Sequence, residues 1–250
     1  VNLLELVQVN NTVAQAFHRL LGVKGVGEPA ISYLRKRGVR RITVETFGMG
    51  YAPNYWDWLS SRLGSSSAAA AGLATVHDDQ TYDLFRNRIM FPIRATQGHV
   101  VGFGGRNLED DEPKYLNSPE TVLFEKGRTL YGLRQAYDDI RECGEMIVME
   151  GYFDVVMSHQ GGVKNVVATL GTRFGANHVR LAQALTDRIL FVFDPDGPGR
   201  TAAAEAMERC TAVGLFAMKS ALPPGPDPAE IVALKGGDEL RHLIEDGRTV

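Results

Sequence analysis

Two aspartates, Asp194 and Asp196, follow the apolar run Ile189 to Phe193 in "ILFVFDPDGPGR". Residues i and i+2 leave a strand on the same face, so these carboxylates can converge on one point. Held together without a cation they repel, and one must take up a proton. A bound divalent metal removes that penalty. Two further acids stand at equivalent places: Glu150 closes "MIVME", and Asp227 follows "LPPGP", where prolines and a glycine pin the loop. Oxygen donors without cysteine or histidine suit Mg2+ or Mn2+ rather than zinc. Such a set of acids could hold two ions about 3.5–4 Å apart, the arrangement that clamps attacking and leaving oxygens in phosphoryl transfer. A lone Asp-x-Asp is more often a turn or a cap, and Asp196 before "GPG" could cap the following helix. The arrival of Glu150 and Asp227 at the same sheet edge favours the metal.

The elements that must position these acids follow from periodicity. From about residue 141, apolar runs alternate with helical patterns. "MIVME" (146–150), "NVVATLG" (165–171), "ILFVF" (189–193) and "LFAMKSALP" (215–223) read as strands. "DVVMSHQ", "ANHVRLAQALT" (176–186) and "GRTAAAEAMERCTAV" read as helices. Single crossover helices imply parallel, right-handed connections. The expectation is an α/β layer over 141–250 with a four-stranded, mostly parallel sheet. Ligands of such sheets gather beyond the carboxyl ends of the strands, where all four acids fall.

Residues 1–140 read as a separate mixed α+β unit. "AISYLRKRGV" and "NYWDWLSSRL" are helix-like, and "GSSSAAAAGLATVHDDQ" (64–80) is expected to be a flexible insertion. "NRIMFPIRATQGHVVGFGGR" alternates around Gln97-Gly98, the signal of a β-hairpin. Arg86, Arg88, Arg106, Lys114, Lys126 and Arg128 lie in a glycine-rich segment, with Tyr115 and Asn117 between them. Arginine grips phosphate oxygens bidentately and lysine acts as a point charge. Gly102, Gly104 and Gly105 would let the backbone approach a phosphate chain. Tyr115 could stack on a base or pack half-buried. Trp56 and Trp58, two apart in a helix, would not share a face, and core packing is favoured for at least one. His159 and His178 have no partner motif.

Bulk composition narrows the class. The net charge is −3, with 8 basic and 6 acidic side chains over 86–134 and 11 against 15 over 141–250. That is no whole-molecule signature of nucleic-acid binding. No apolar run reaches the roughly 20 residues that span a bilayer, and "VNLLELVQVNN" has neither a basic n-region nor a cleavage site. Cys143 and Cys210 stand alone, which argues against structural zinc and suits a reducing cytosol. The start at Val1 suggests a piece of a longer protein.

Motifs add a resemblance. "EGYFDVV", upstream of "DPDGPGR", resembles the signature of the TOPRIM domain, shared by bacterial primases, type IA and type II topoisomerases and some nucleases. "FRNRIMFPIRATQGHVVGFGGRNLEDDEPKYLNSPETVLFEKGRTLYGL" (85–133) resembles the bacterial DnaG-type primases nearly residue for residue, and "YLRKRGV" and "FGMGYAPNYWDWL" are similar to their N-terminal subdomain.

The resemblance implies an N-terminal mixed subdomain and a TOPRIM subdomain with the active site in the cleft between them. It implies synthesis of short RNA primers from NTPs on single-stranded DNA, in the bacterial cytoplasm at the replication fork. By motif, Glu150 is implied as ligand or general base, Asp194, Asp196 and Asp227 as metal-binding acids, and Asp154 as a support for Glu150. "PKYLNSPET" and "EKGR" match as whole phrases and imply phosphate-contacting roles for Arg106, Lys114 and Lys126; Arg37, in "KRG", is placed in the same cleft.

One departure is Ala229, in "DPAE", where such primases commonly carry a second aspartate. Nothing resembles the family's zinc-binding module, and the chain stops before the helical bundle and the helicase-binding region. An isolated catalytic core is expected, with helicase and single-strand-binding protein contacted through regions not carried here. Two rivals stay open: another TOPRIM enzyme, although a topoisomerase needs a tyrosine on a further domain, and a binding scaffold, which should have lost the acids.

Overall fold

The structure, a computed structural model, describes residues 2–78, 80–109, 112–193 and 197–250. The chain divides into two units, Val1–Glu125 and Lys126–Val250. A helix, Leu133–Cys143, spans the sequence-based boundary near residue 140, and its apolar positions Leu133, Ala136 and Ile140 are buried in the core of the second unit.

The first unit contains α1 (Leu3–Leu21), α2 (Glu28–Lys36), α3 (Arg41–Phe47), β1 (Gly50–Ala52), α4 (Ser60–Leu63), α5 (Ser65–Ala70), β2 (Ala74–His77), β3 (Gln80–Asp83), β4 (Arg88–Arg94), β5 (Val100–Asn107) and β6 (Tyr115–Asn117). A capping box starts α1: Asn2 Oδ1 accepts the Glu5 N–H at 2.9 Å, and Glu5 accepts the Asn2 N–H at 3.1 Å. Leu6, Val13, Ala14, Phe17 and Leu21 form its buried face, at helical spacing. That face packs on β1 and β5 of an antiparallel sheet ordered β1-β4-β5-β6.

The β4–β5 hairpin turns at the Gln97-Gly98 stretch, as its alternation predicts. Two other expectations fail. Residues 64–80 are not a plain insertion, because the alanine run forms α5 and leads into the β2–β3 pair, with Ala68 and Leu73 fully buried. "NYWDWLSSRL" is helical only in α4; Trp58 stacks on Phe17 at the core, whereas Trp56 is 65% exposed.

The second unit contains α6 (Leu133–Cys143), β7 (Met146–Met149), α7 (Tyr152–Gln160), β8 (Val166–Ala168), α8 (Ala176–Gln183), β9 (Arg188–Phe191), α9 (Gly197–Thr211), β10 (Phe216–Ser220), α10 (Pro228–Lys235), α11 (Gly237–Asp246) and β11 (Arg248–Thr249). Its sheet runs β11-β10-β9-β7-β8. The four predicted strands pair in parallel, and a fifth, β11, joins the edge antiparallel. Two residues are too short for a periodic signal. Pairing is secured instead by Arg248, whose guanidinium donates to both oxygens of Glu145 at 2.7 Å. Glu145 is 8% exposed and also accepts from Arg188 at 3.2 Å. No helix among the described residues is long and apolar enough to cross a membrane.

Candidate metal centre and nucleic-acid interface

Parallel pairing puts the carboxyl ends of β7, β9 and β10 at one edge of the second unit's sheet. Glu150 immediately follows β7 and is exposed, and Asp227 ends the loop that leaves β10. Helix packing reinforces this placement. A Cβ on Gly161, just after α7, would lie 2.7 Å from the Gly237 Cα and 3.2 Å from Val232 Cγ1, so the C-terminal ends of α7 and α10 meet. The two helices thus run the same way, with Glu150 and Asp227 at their starts. Asp194 and Asp196 lie outside the described residues.

Asp154 and Asp227 are each held by a backbone N–H. Asp154, at the third position of α7, accepts the Gly151 N–H through Oδ2 at 3.0 Å. It fixes the peptide that joins Glu150 to Gly151. Asp227 caps α10 and accepts the Glu230 N–H through Oδ1 at 2.7 Å. One oxygen therefore serves the helix, and the other is outside the cap. Ala229 is 3% exposed, on the side of α10 that packs inward. Oxygen donors from two loops of one sheet edge fit a hard divalent cation, although the described residues alone bring no three acidic, histidine or cysteine side chains together.

The basic residues form a different arrangement, built on β4, β5 and β6 of the first unit. Arg106 faces Tyr115 across the β5–β6 pair. Its guanidinium lies 5.4 Å from the Tyr115 ring centre and 5.7 Å from that of Tyr33, and Nε donates to the Tyr33 hydroxyl at 3.2 Å. Arg37 lies over the same Tyr33 ring at 5.8 Å. Arg106 and Arg88 are buried, at 8% and 6% exposure, so neither is a solvated surface charge. Arg88 donates to the carbonyls of Pro113 at 2.9 Å and Gly105 at 3.3 Å. Burial, then the neighbouring charges of Arg86 and Arg106, lowers its pKa from the ordinary arginine value. The charges of Arg86 and Arg106 therefore act on Arg88, which is held by carbonyls. Lys114 and Tyr115 are exposed beside them, and Asn117 is half-buried on β6.

Two expectations change here. Gly102 and Gly105 do not leave room for phosphate: added Cβ atoms would meet the Phe124 ring at 3.0 Å and the Phe85 ring at 2.8 Å. They let the hairpin lie against aromatic side chains. Lys126 and Arg128 form a 3-10 turn of the second unit rather than the end of the first. His178, which has no sequence partner, holds that turn. Its Nδ1 accepts the Gly175 N–H at 3.2 Å, and its Nε2–H donates to the Lys126 carbonyl at 3.0 Å.

Three residues outside the candidate set also shape this surface. Tyr33 is one. Trp56 is the second, with Arg86 4.4 Å above its ring and Tyr82 against it edge-on at 5.7 Å. The third is Asp83, a buried acid that accepts the N–H groups of Leu59 at 2.6 Å and Ser60 at 2.8 Å, anchoring the loop that carries Trp56. Aromatics at 33 and 56 could be noticed in the sequence; their pairing with arginines could not.

Residues 17–137 match the family model of the DNA primase catalytic core N-terminal domain, and residues 144–217 match that of the Toprim domain. The DNA primase of Pseudomonas aeruginosa is 40% identical over 244 residues, covering 94% of this chain and 37% of that protein. A DnaG primase catalytic domain solved bound to single-stranded DNA superposes with a TM-score of 0.90 at 39% identity, over 96% of this chain and 78% of the other. The RNA polymerase domain of Mycobacterium tuberculosis primase DnaG, solved with double-stranded DNA, gives 0.89 at 34% identity, over 99% and 82%. The chain spans about two fifths of the length of the curated primases it matches. With both family models matched in order and the catalytic-core fold reproduced, the chain belongs to the DnaG primase catalytic-core family.

Proposed function

We propose that this chain is the catalytic core of a DNA-directed RNA primase, joining NTPs into short RNA primers on single-stranded DNA in the bacterial cytoplasm. The reading is supported by the placement of Glu150 just after β7 and of Asp227 at the end of the loop leaving β10, at the carboxyl ends of parallel strands, in a chain of this family. Glu150, Asp194, Asp196 and Asp227 would hold Mg2+ or Mn2+, two or more ions, without zinc. Bound divalent ions supply charge neutralisation at the triphosphate and acidify the attacking hydroxyl. Glu150 acts as ligand or takes the proton of the primer 3′-hydroxyl on its carboxylate. Asp154 keeps that side chain in place through its bond to the Gly151 N–H.

Arg106, sandwiched by Tyr33 and Tyr115, grips template or triphosphate oxygens in its two-pronged geometry. Arg86, Arg88 and Arg37 add charge around it. Lys114 and Asn117 flank the strand edge, and Tyr115 and Trp56 offer ring faces for base stacking. Lys126 and Arg128 contribute from their own turn. Solved relatives bound to single- and double-stranded DNA support a nucleic-acid template here. Helicase and single-strand-binding protein would be met through parts of the protein outside this chain.

Template-directed synthesis with labelled NTPs and Mg2+ or Mn2+ tests the reading, comparing the parent with Asp194→Ala. Short RNAs from the parent and none from the variant are expected. Equal product from both would remove Asp194 from the mechanism. No product from a parent that binds metal and DNA would reject primer synthesis by this core.

A further inference from the structure

Lys126 and Arg128 lie on a 3-10 turn of three residues, none of them buried. Such a turn has poor hydrogen-bond geometry and little cohesion of its own. Here the Thr129 N–H returns to the Lys126 carbonyl at 3.3 Å, a long bond. Ties within the second unit hold the segment instead. Beyond the turn, the Tyr131 N–H and carbonyl exchange bonds with Ala168 at 2.9 and 3.0 Å. At its first residue, the Lys126 carbonyl accepts the His178 Nε2–H at 3.0 Å.

His178 stands at the third position of α8 and is 0% exposed. Burying an imidazole costs stability unless its ring nitrogens find partners. One nitrogen serves the start of the helix: Nδ1 accepts the Gly175 N–H at 3.2 Å. That duty does not call for imidazole. In the same unit Asp154, at the third position of α7, accepts the Gly151 N–H at 3.0 Å in the same way. A carboxylate at 178 would be an acceptor only and would repel the Lys126 carbonyl. What imidazole adds is a second nitrogen that donates, and it is spent on the turn.

The ring also links the turn to a strand end. It lies against Phe174, with ring centres 5.3 Å apart, and Phe174 meets Phe191 edge-on at 5.1 Å. Phe191 ends β9, three positions before Asp194 in the sequence. Two buried rings therefore set the turn against the strand that leads to the proposed metal ligands. A triphosphate shares the coordination shell of its divalent ion. Its cationic contacts must then be fixed relative to the acids that hold that ion.

We infer that His178 is a positioning residue for the incoming triphosphate: by fixing the Lys126 carbonyl, it sets where Lys126 and Arg128 present their charges. The inference rests on the primase reading above and adds to it a buried residue that acts through Lys126.

Two substitutions separate the roles of the two nitrogens. Asparagine places its oxygen near the position of Nδ1, so His178→Asn keeps the Gly175 bond and gives up the donor to Lys126. Glutamine places its amide nitrogen near the position of Nε2, so His178→Gln keeps that donor. Primer synthesis on single-stranded DNA with Mg2+ is measured over a range of NTP concentrations for the parent and both variants. His178→Asn should raise KM for NTP about tenfold, the size of one lost charge-assisted contact. Its kcat should change by less than about threefold. His178→Gln should stay within about threefold of the parent in KM, and template affinity should move in neither variant. If His178→Asn fails to fold, NMR of the parent decides. The His178 ring resonance should shift when ATP and Mg2+ are added, and should not shift in Lys126→Ala.

An asparagine variant with the parent's KM, or a glutamine variant impaired as much as the asparagine one, would overturn the positioning role. An unmoved ring resonance in the parent would do the same. Lost template affinity with KM for NTP unchanged would give the turn to DNA and overturn it too. A parent that folds and binds metal but makes no primer would instead overturn the primase reading, and the inference with it.

Discussion

Arg106 shows how far the setting of one side chain can depart from what its segment suggests. A cation in a glycine-rich segment is ordinarily a solvated charge, yet this guanidinium is almost buried, held by Tyr33 and lying over two rings. Such packing fixes the planar fork before any anion arrives, which lowers the ordering cost of binding. The histidines make the same point about burial. His159 donates Nε2–H to the Val166 carbonyl at 2.9 Å, and burial pushes its pKa down to about 4, against the opposing pull of that carbonyl. A depressed folded pKa means stability present above the unfolded value near 6.5 and lost as pH falls toward 4. Urea titrations should show the parent losing about 3 kcal/mol more than His159→Gln between pH 7 and 4. Parallel curves for the two proteins would show that this imidazole is not held neutral. His178 is shifted in the same direction, again chiefly by burial.

At the scale of elements, Asp227 joins an observed cap to a proposed metal-binding duty. Its carboxylate caps α10, and it stands at the sheet edge where metal is proposed. Serine also caps helices but brings no carboxylate. Asp227→Ser should therefore keep the parent's stability while losing metal-dependent synthesis. Asp227→Ala should lose synthesis and about 1 kcal/mol of stability as well. Melting curves beside primer assays decide this, and a fully active serine variant would leave Asp227 as a cap alone. Strand periodicity foresaw β7 to β10 because buried parallel strands leave short apolar runs. It missed α5 and overextended helix into Trp56 and Trp58, because alanine-rich and aromatic stretches take their conformation from what they pack against.

For the whole molecule, the proposed acids tie stability to cations. Carboxylates brought to one edge repel until a divalent ion joins them. Ions that bind only the folded form raise its stability, by about 2.7 kcal/mol at a hundredfold excess over Kd. After chelation, Mn2+ or Mg2+ should raise the melting temperature by about 5–10 °C at that excess, and Asp194→Ala should abolish the rise. A melting temperature indifferent to metal would contradict the proposed centre. The second unit has a further tie at the opposite side of its sheet edge strands, where Glu145 and Arg248, 103 positions apart, pair at 2.7 Å and hold β11 in place.

By itself the sequence determined the parallel pairing of four strands, the β4–β5 hairpin and the phrases that mark the family. All of these are local patterns, set by side-chain alternation, turn chemistry and short motifs. Only the tertiary structure decided that Arg106 meets Tyr33, 73 positions away, that Gly102 and Gly105 make room for phenylalanine rings, and that residues 126–140 join the second unit. Those outcomes depend on which buried surfaces meet, and periodicity records that a face is buried without recording its partner.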